Sequence, residues 1–106
     1  MHDCDEVILK TDDALVRILT LEGGQTTSWH FHTEVTDKMF CLEGQIAIEQ
    51  QGPQERVVLR TGGHCEVTVE RVHRVVNLGA ETAKYLLVQG VGRYDFNVVD
   101  EAALLG

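Results

Sequence analysis

Ser28-Trp29-His30-Phe31-His32 places two histidines one residue apart in a run of strand-forming side chains. Side chains alternate faces along a strand, so both imidazoles point one way while Trp29 and Phe31 point the other. Twice the rise per residue sets the two histidine Cα atoms about 6.5–7 Å apart. Two rings at that separation can lean onto one ion with metal–nitrogen bonds of about 2.1 Å. An isolated pair of this kind also fits a half-exposed surface strand, so the surrounding spacing has to decide between the two.

Working outward from the pair, the chain reads as Gly24, five residues, His30-Phe31-His32, four residues, Asp37, six residues, Gly44. Further on come Gly62, five residues, Thr68-Val69-Glu70, two residues, His73, three residues and Asn77. The first pattern resembles the first cupin motif, G-x5-H-x-H-x3–4-E-x6-G. The second resembles the other, G-x5-P-x-G-x2-H-x3-N, and His73-Arg74-Val75-Val76-Asn77-Leu78-Gly79 is close to the family's common wording. Together they span Gly24–Asn77 in the expected order. The resemblance, to small single-domain cupins, implies an all-β fold: a double-stranded β-helix, or jelly-roll barrel. It also implies that His30, His32, Asp37 and His73 converge on one divalent transition metal ion, with Fe, Mn, Ni and Zn the candidates. Asp37 stands where the family usually has glutamate and is one methylene shorter, so it ligates directly, through water, or as an acceptor behind the ligands. Thr68 and Glu70 replace the usual proline and glycine, which alters a turn rather than a ligand. On this reading His30→Ala and His73→Ala abolish tight metal binding, and Asp37→Asn weakens it less, because an amide keeps a carbonyl oxygen.

The rest of the chain fits a barrel. Short runs of strand-forming residues recur at Val7–Lys10, Ala14–Leu21, Gln25–His32, Lys38–Leu42, Gln45–Gln50, Arg56–Leu59, Cys65–Val69, Val72–Val76 and Lys84–Gly90, with turn residues between them. A C-terminal helix is expected over Val98–Leu105, with Asp100 and Glu101 near its start. At 106 residues the chain suits one domain: an N-terminal strand at 7–10, a barrel core at about 14–90 and a tail at 91–106. Counting outward from Asp37 and His73 turns Met39, Cys41, Val75 and Asn77 inward as pocket candidates, with Lys38, Phe40 and Leu42 outward. No inward carboxylate beyond Asp37, and no lysine or tyrosine, stands out as a general base. His64 reads as a turn residue at the surface and His2 as part of a loose terminus. Tyr94 and Phe96, beside Gly90 and Gly92, are expected at the barrel mouth or a subunit contact, and Arg93 in a salt bridge with the acidic surface.

Composition narrows the function. Nine basic against 17 acidic residues give a formal charge of −8, which repels phosphate backbones and disfavours nucleic acid as a partner. No apolar run approaches the roughly 20 residues of a membrane span. Met1-His2-Asp3-Cys4-Asp5-Glu6 lacks a signal-peptide pattern, so the expected location is cytoplasmic. Cys4, Cys41 and Cys65 are read as reduced thiols. Outward aromatic residues (Trp29, Phe31, Phe40) and an apolar N-terminal strand suggest a homodimer. The resemblance implies a small-molecule substrate or ligand, with metal-dependent oxidative, dioxygenase-type chemistry first and isomerase or lyase chemistry second. A binding protein without turnover is the reading from outside the enzymes.

Overall fold

A computed structural model describes residues 5–101 and 104. Its strands are β1 (Glu6–Lys10), β2 (Ala14–Leu21), β3 (His30–Phe31), β4 (Thr36–Glu43) and β5 (Gln45–Gln50), followed by β6 (Glu55–Arg60), β7 (His64–Val67), β8 (His73–Val76), β9 (Ala83–Gly90) and β10 (Asn97–Val98). They form two five-stranded antiparallel sheets, ordered β1-β2-β9-β4-β7 and β10-β3-β8-β5-β6. This is the all-β jelly roll that the resemblance of the two motifs implies.

The inner faces of the sheets share one core. Leu21, Met39, Ile46, Ile48, Val67, Val75, Tyr85 and Leu87 are buried together there. Strand alternation accounts for the selection. Along β4, Asp37, Met39 and Cys41 are buried while Lys38, Phe40 and Leu42 are exposed, and along β8 His73 and Val75 are buried. Removing this apolar surface from water is the main favourable contribution to folding.

Two features of the motifs have plain backbone reasons. Gly44 joins β4 to β5 at φ +76°, and a Cβ there would lie 2.9 Å from the Thr82 carbonyl oxygen, so only glycine fits. Glu70 occupies the position where a glycine was expected, and its backbone keeps the left-handed conformation at φ +64°. Its N–H donates to the His32 carbonyl at 2.7 Å, which ties that turn to the strand bearing the first two histidines.

Three expectations are corrected. The strand foreseen over Gln25–His32 is regular only at His30–Phe31. Upstream the segment still follows β8, but Thr27 takes over part of the ladder: Val75 N donates to Thr27 Oγ1 while Thr27 N donates to the Val75 carbonyl. His64 is not in a turn but opens β7, exposed beside the Phe40 ring. Val98, expected to start the tail helix, lies in β10 paired with His30. Glu101 and Leu104 carry helical backbone, and the other residues of that helix lie outside the described residues. Among the described residues no helix is long and apolar enough to cross a membrane.

Candidate metal centre

Register brings the four candidate ligands together. His30 on β3 pairs directly with His73 on β8, and His32 follows one residue beyond β3. Asp37 lies on β4 in the other sheet, flanked in register by Val67 and Gln89. All four side chains are buried, and one donor atom from each lies within 4.8 Å of the others. A group this compact can close on a single ion.

The three rings are oriented from behind by main-chain carbonyls. His30 Nδ1 donates to Ser28 O at 2.6 Å, His32 Nδ1 to Asp95 O at 2.5 Å, and His73 Nδ1 to Arg71 O at 2.8 Å. A carbonyl oxygen can only accept, so each Nδ1 carries a proton and Nε2 is the nitrogen turned toward the cluster. Outer hydrogen bonds of this kind set tautomer and ring direction in metal sites.

Asp37 is held in the same fashion. Gln89 Nε2 donates to its Oδ1 at 3.0 Å. That leaves Oδ2 facing His73 Nε2 at 2.9 Å and His32 Nε2 at 3.2 Å. A carboxylate oxygen and an imidazole lone pair repel unless a cation lies between them. Without metal, an extra proton on a ring has to fill that role; a divalent ion fills it better and satisfies His30 as well. The donor set therefore fits a metal, and Oδ2 is the oxygen of Asp37 that faces the rings. Mixed nitrogen and oxygen donors suit Fe, Mn, Ni and Zn.

His30 is held in the neutral form a metal needs, whereas in the metal-free protein His32 and Asp37 are drawn toward a charged, proton-sharing pair. Burial, reinforced by the neighbouring His73 and His32, pulls His30 down to about 4 and keeps it neutral, ready to ligate. Burial would lower His32 as well, but the hydrogen bond and charge of Asp37 outweigh it and raise that ring. Burial would raise Asp37, yet the hydrogen bonds from His32 and His73 win and hold it well below the usual carboxylate range.

The centre forms part of the wall of a cavity of about 440 Å³. Apolar side chains (Met39, Val75, Leu87) and the rings of Tyr85, Tyr94 and Phe96 line much of the rest. Phe96 stacks on His30 with centroids 4.4 Å apart, and Tyr94 lies 5.5 Å from His32, so the segment after β9 covers the mouth. Asp95 fastens that segment through Thr33, whose N and Oγ1 donate to its carboxylate.

Of the four pocket candidates, Met39 and Val75 line the cavity, and Cys41 and Asn77 do not. The Cys41 thiol sits at the far end of β4 against the carbonyls of Glu43 and Gly44. Asn77 donates to the carbonyls of Leu21 and Glu81 and accepts from Gly79 N, fixing the turn before β9. Arg93 makes no ion pair among the described residues; its N–H donates to Glu34. Sequence reasoning missed Arg17, Tyr85 and Gln89. Alternation along β9 carried the signal for two of them, since Ala83, Tyr85, Leu87 and Gln89 occupy one buried row. Burial keeps the Tyr85 phenol protonated, so in the cavity it is a hydrogen-bond donor.

The chain is a two-sheet jelly roll whose inner rows bring together three histidines and one carboxylate that could hold a metal ion. The sequence matches the family described as "Cupin domain" over residues 17–89, and the chain belongs to that family. No functionally curated protein matches the sequence. The fold is similar to an uncharacterised conserved protein with a double-stranded β-helix domain from Klebsiella pneumoniae, at 24% identity and TM-score 0.78, covering 89% of this chain and 81% of that one. TT1209 from Thermus thermophilus is similar at 23% identity and TM-score 0.76, with 83% and 82% covered. An oxalate oxidase is similar at 15% identity and TM-score 0.75, with 82% of this chain but 46% of that one covered.

Proposed function

We propose that the protein is a small metal-dependent enzyme that binds one divalent transition metal ion through Nε2 of His30, His32 and His73 and Oδ2 of Asp37, and acts on an organic small molecule. The observation that carries this reading is the compact, buried donor set in the wall of a cavity large enough for a small substrate. When bound, the ion supplies a Lewis acid that polarises a substrate oxygen and, as iron, a route to oxygen chemistry. Four protein donors leave one or two positions for water or substrate, which separates a working site from a closed structural one.

Oxidative, dioxygenase-type chemistry is the first reaction class. Apolar and aromatic walls keep bulk water from the reacting groups, and the likeness to an oxalate oxidase is compatible with it. Tyr85 favours isomerase or lyase chemistry as the second reading, because a neutral phenol held in the cavity can lend a proton to a substrate oxygen. The test is elemental analysis of protein purified without a histidine tag, followed by oxygen-uptake and isomerase assays on the reconstituted form. Near-stoichiometric iron with substrate-dependent oxygen uptake supports the first reading; manganese, nickel or zinc with anaerobic turnover supports the second. Failure to take up metal after reconstitution would refute both and leave a binding protein.

We further propose that two chains pair through β1. It is an outermost strand with Val7, Ile8 and Leu9 at 58%, 51% and 53% exposure, apolar on a sheet edge whose main-chain groups invite another strand. Trp29 contributes less than its sequence position suggests, since the Arg74 guanidinium covers its ring at 4.5 Å.

A further inference from the structure

One cation stands inside the cavity. Arg17 lies on β2 between Leu15 and Leu19, on the row that faces the interior, where the pattern otherwise places leucine. Its Nη2 donates to Gln89 Oε1 at 2.9 Å, and its guanidinium carbon lies 5.5 Å from the centre of the Tyr94 ring. Its Nε is buried and finds no hydrogen-bond partner. Among the described residues Arg17 enters no ion pair, although the chain carries 17 acidic residues against nine basic ones. Buried guanidinium N–H groups are costly to leave unpaired, and a molecule bound in this cavity could supply the missing partner.

The chemistry of that partner follows from the fork. Nε–H and a neighbouring Nη–H of arginine point the same way and match the two oxygens of a carboxylate. Gln89 fixes where this happens relative to the metal: its Oε1 accepts from Arg17 while its Nε2 donates to Asp37 Oδ1, so one side-chain amide separates the fork from the ligand carboxylate. Asp5 lines the same cavity with Oδ1 buried and unpartnered. Arg17 is the one guanidinium or ammonium group among the described residues that line the cavity, so the wall offers a single fork for a single carboxylate.

We infer that Arg17 anchors the carboxylate of the substrate, and that the molecule handled at this site is a small monocarboxylic acid with an apolar body. The body rests against Val75, Leu87 and Phe96, and a hydroxyl or amino group on it would satisfy Asp5. The inference rests on reading the cavity as a small-molecule site, and its test does not need turnover.

Calorimetric titrations with phenylacetate and its neutral isostere phenylacetamide, repeated with acetate and acetamide, compare wild type, Arg17→Met and Arg17→Lys, each metal-free and zinc-loaded. Circular dichroism checks that the variants fold. Expected is a preference of at least about tenfold for acid over amide in metal-free wild type, lost in Arg17→Met and partly kept in Arg17→Lys, which retains charge without the fork. An undiminished preference in Arg17→Met, no preference in wild type, or no binding of either acid at millimolar concentration overturns the inference. Zinc uptake is measured in the same samples. An Arg17-dependent preference without zinc binding would sink the proposed metal enzyme and leave the carboxylate anchor standing, and zinc binding without the preference would do the reverse.

Discussion

Replacing Asp37 with asparagine separates the geometry of this site from its spacing. From sequence the substitution is mild, because an amide keeps a carbonyl oxygen. The surroundings of Asp37 reverse that expectation. Oδ1 receives a hydrogen bond from Gln89 Nε2, and Gln89 cannot turn its amide over because its Oε1 is held by Arg17 Nη2 at 2.9 Å. An asparagine must therefore give its oxygen to Gln89 and aim its NH₂ at His32 and His73, where the proposed ion would sit. Removing a negative charge from beside a divalent ion costs several kcal/mol even at an effective dielectric of about 20. Part of that returns because a neutral amide is cheaper to bury than a carboxylate. The net expectation is metal affinity weakened by about 10²–10³-fold. Competition of the protein with a chelating dye for Zn²⁺ measures it. Adding Gln89→Glu should recover about tenfold or more, since a glutamate there can accept from both Arg17 and the asparagine NH₂ and turn the amide oxygen toward the ion. An Asp37→Asn variant within about threefold of wild type, or a double variant no tighter than the single one, refutes the argument that Gln89 orients this carboxylate. His30→Ala and His73→Ala, in the same assay, should abolish tight binding while near-ultraviolet circular dichroism stays native.

Glu70→Gly should stabilise the fold by roughly 0.5–1 kcal/mol, seen as a rise of a few degrees in Tm, because a left-handed backbone strains any side chain with a Cβ; an unchanged or lower Tm would contradict that. Burial, with the charges of Asp37 and Glu55, pushes the Cys65 thiol up to about 11, so at pH 8 its thiolate fraction is about a hundredfold below that of an ordinary cysteine. Peptide-resolved iodoacetamide labelling should therefore find Cys65 slow, speeding up as pH approaches 11; rapid labelling at pH 8 would show the thiol is not held neutral. Sedimentation should show a dimer at micromolar concentration that Leu9→Lys converts to monomer, and a monomeric wild type would remove β1 as the contact.

What the sequence disclosed and what it withheld divide along one physical line. The fold and the meeting of His30, His32, Asp37 and His73 were legible because two spaced motifs resemble those of a known family, while alternation alone gives only the shared face of His30 and His32. Strand alternation puts His30 and His32 on one face, and turns that tolerate positive φ at Gly44 and Glu70 return the chain at fixed intervals. Cys41 and Asn77 had the right parity and still missed the cavity, because parity gives the face of a strand but not the distance along the barrel axis. Arg17 and Gln89 were invisible for a related reason. Their meaning lies in the pairing of Leu15 with Gln89 and of Asp37 with Gln89, cross-strand registers that bring residues 52 and 72 positions apart into hydrogen-bond contact. Nothing in local spacing encodes such a register. A candidate metal site carried by two short motifs can thus be read from one chain, whereas Arg17 and Gln89, the groups proposed to hold its ligand, come from neighbouring strands and become visible only once those strands are paired. The same barrel can keep its ligands and change its chemistry by altering a residue such as Arg17, far from the motifs that name the family.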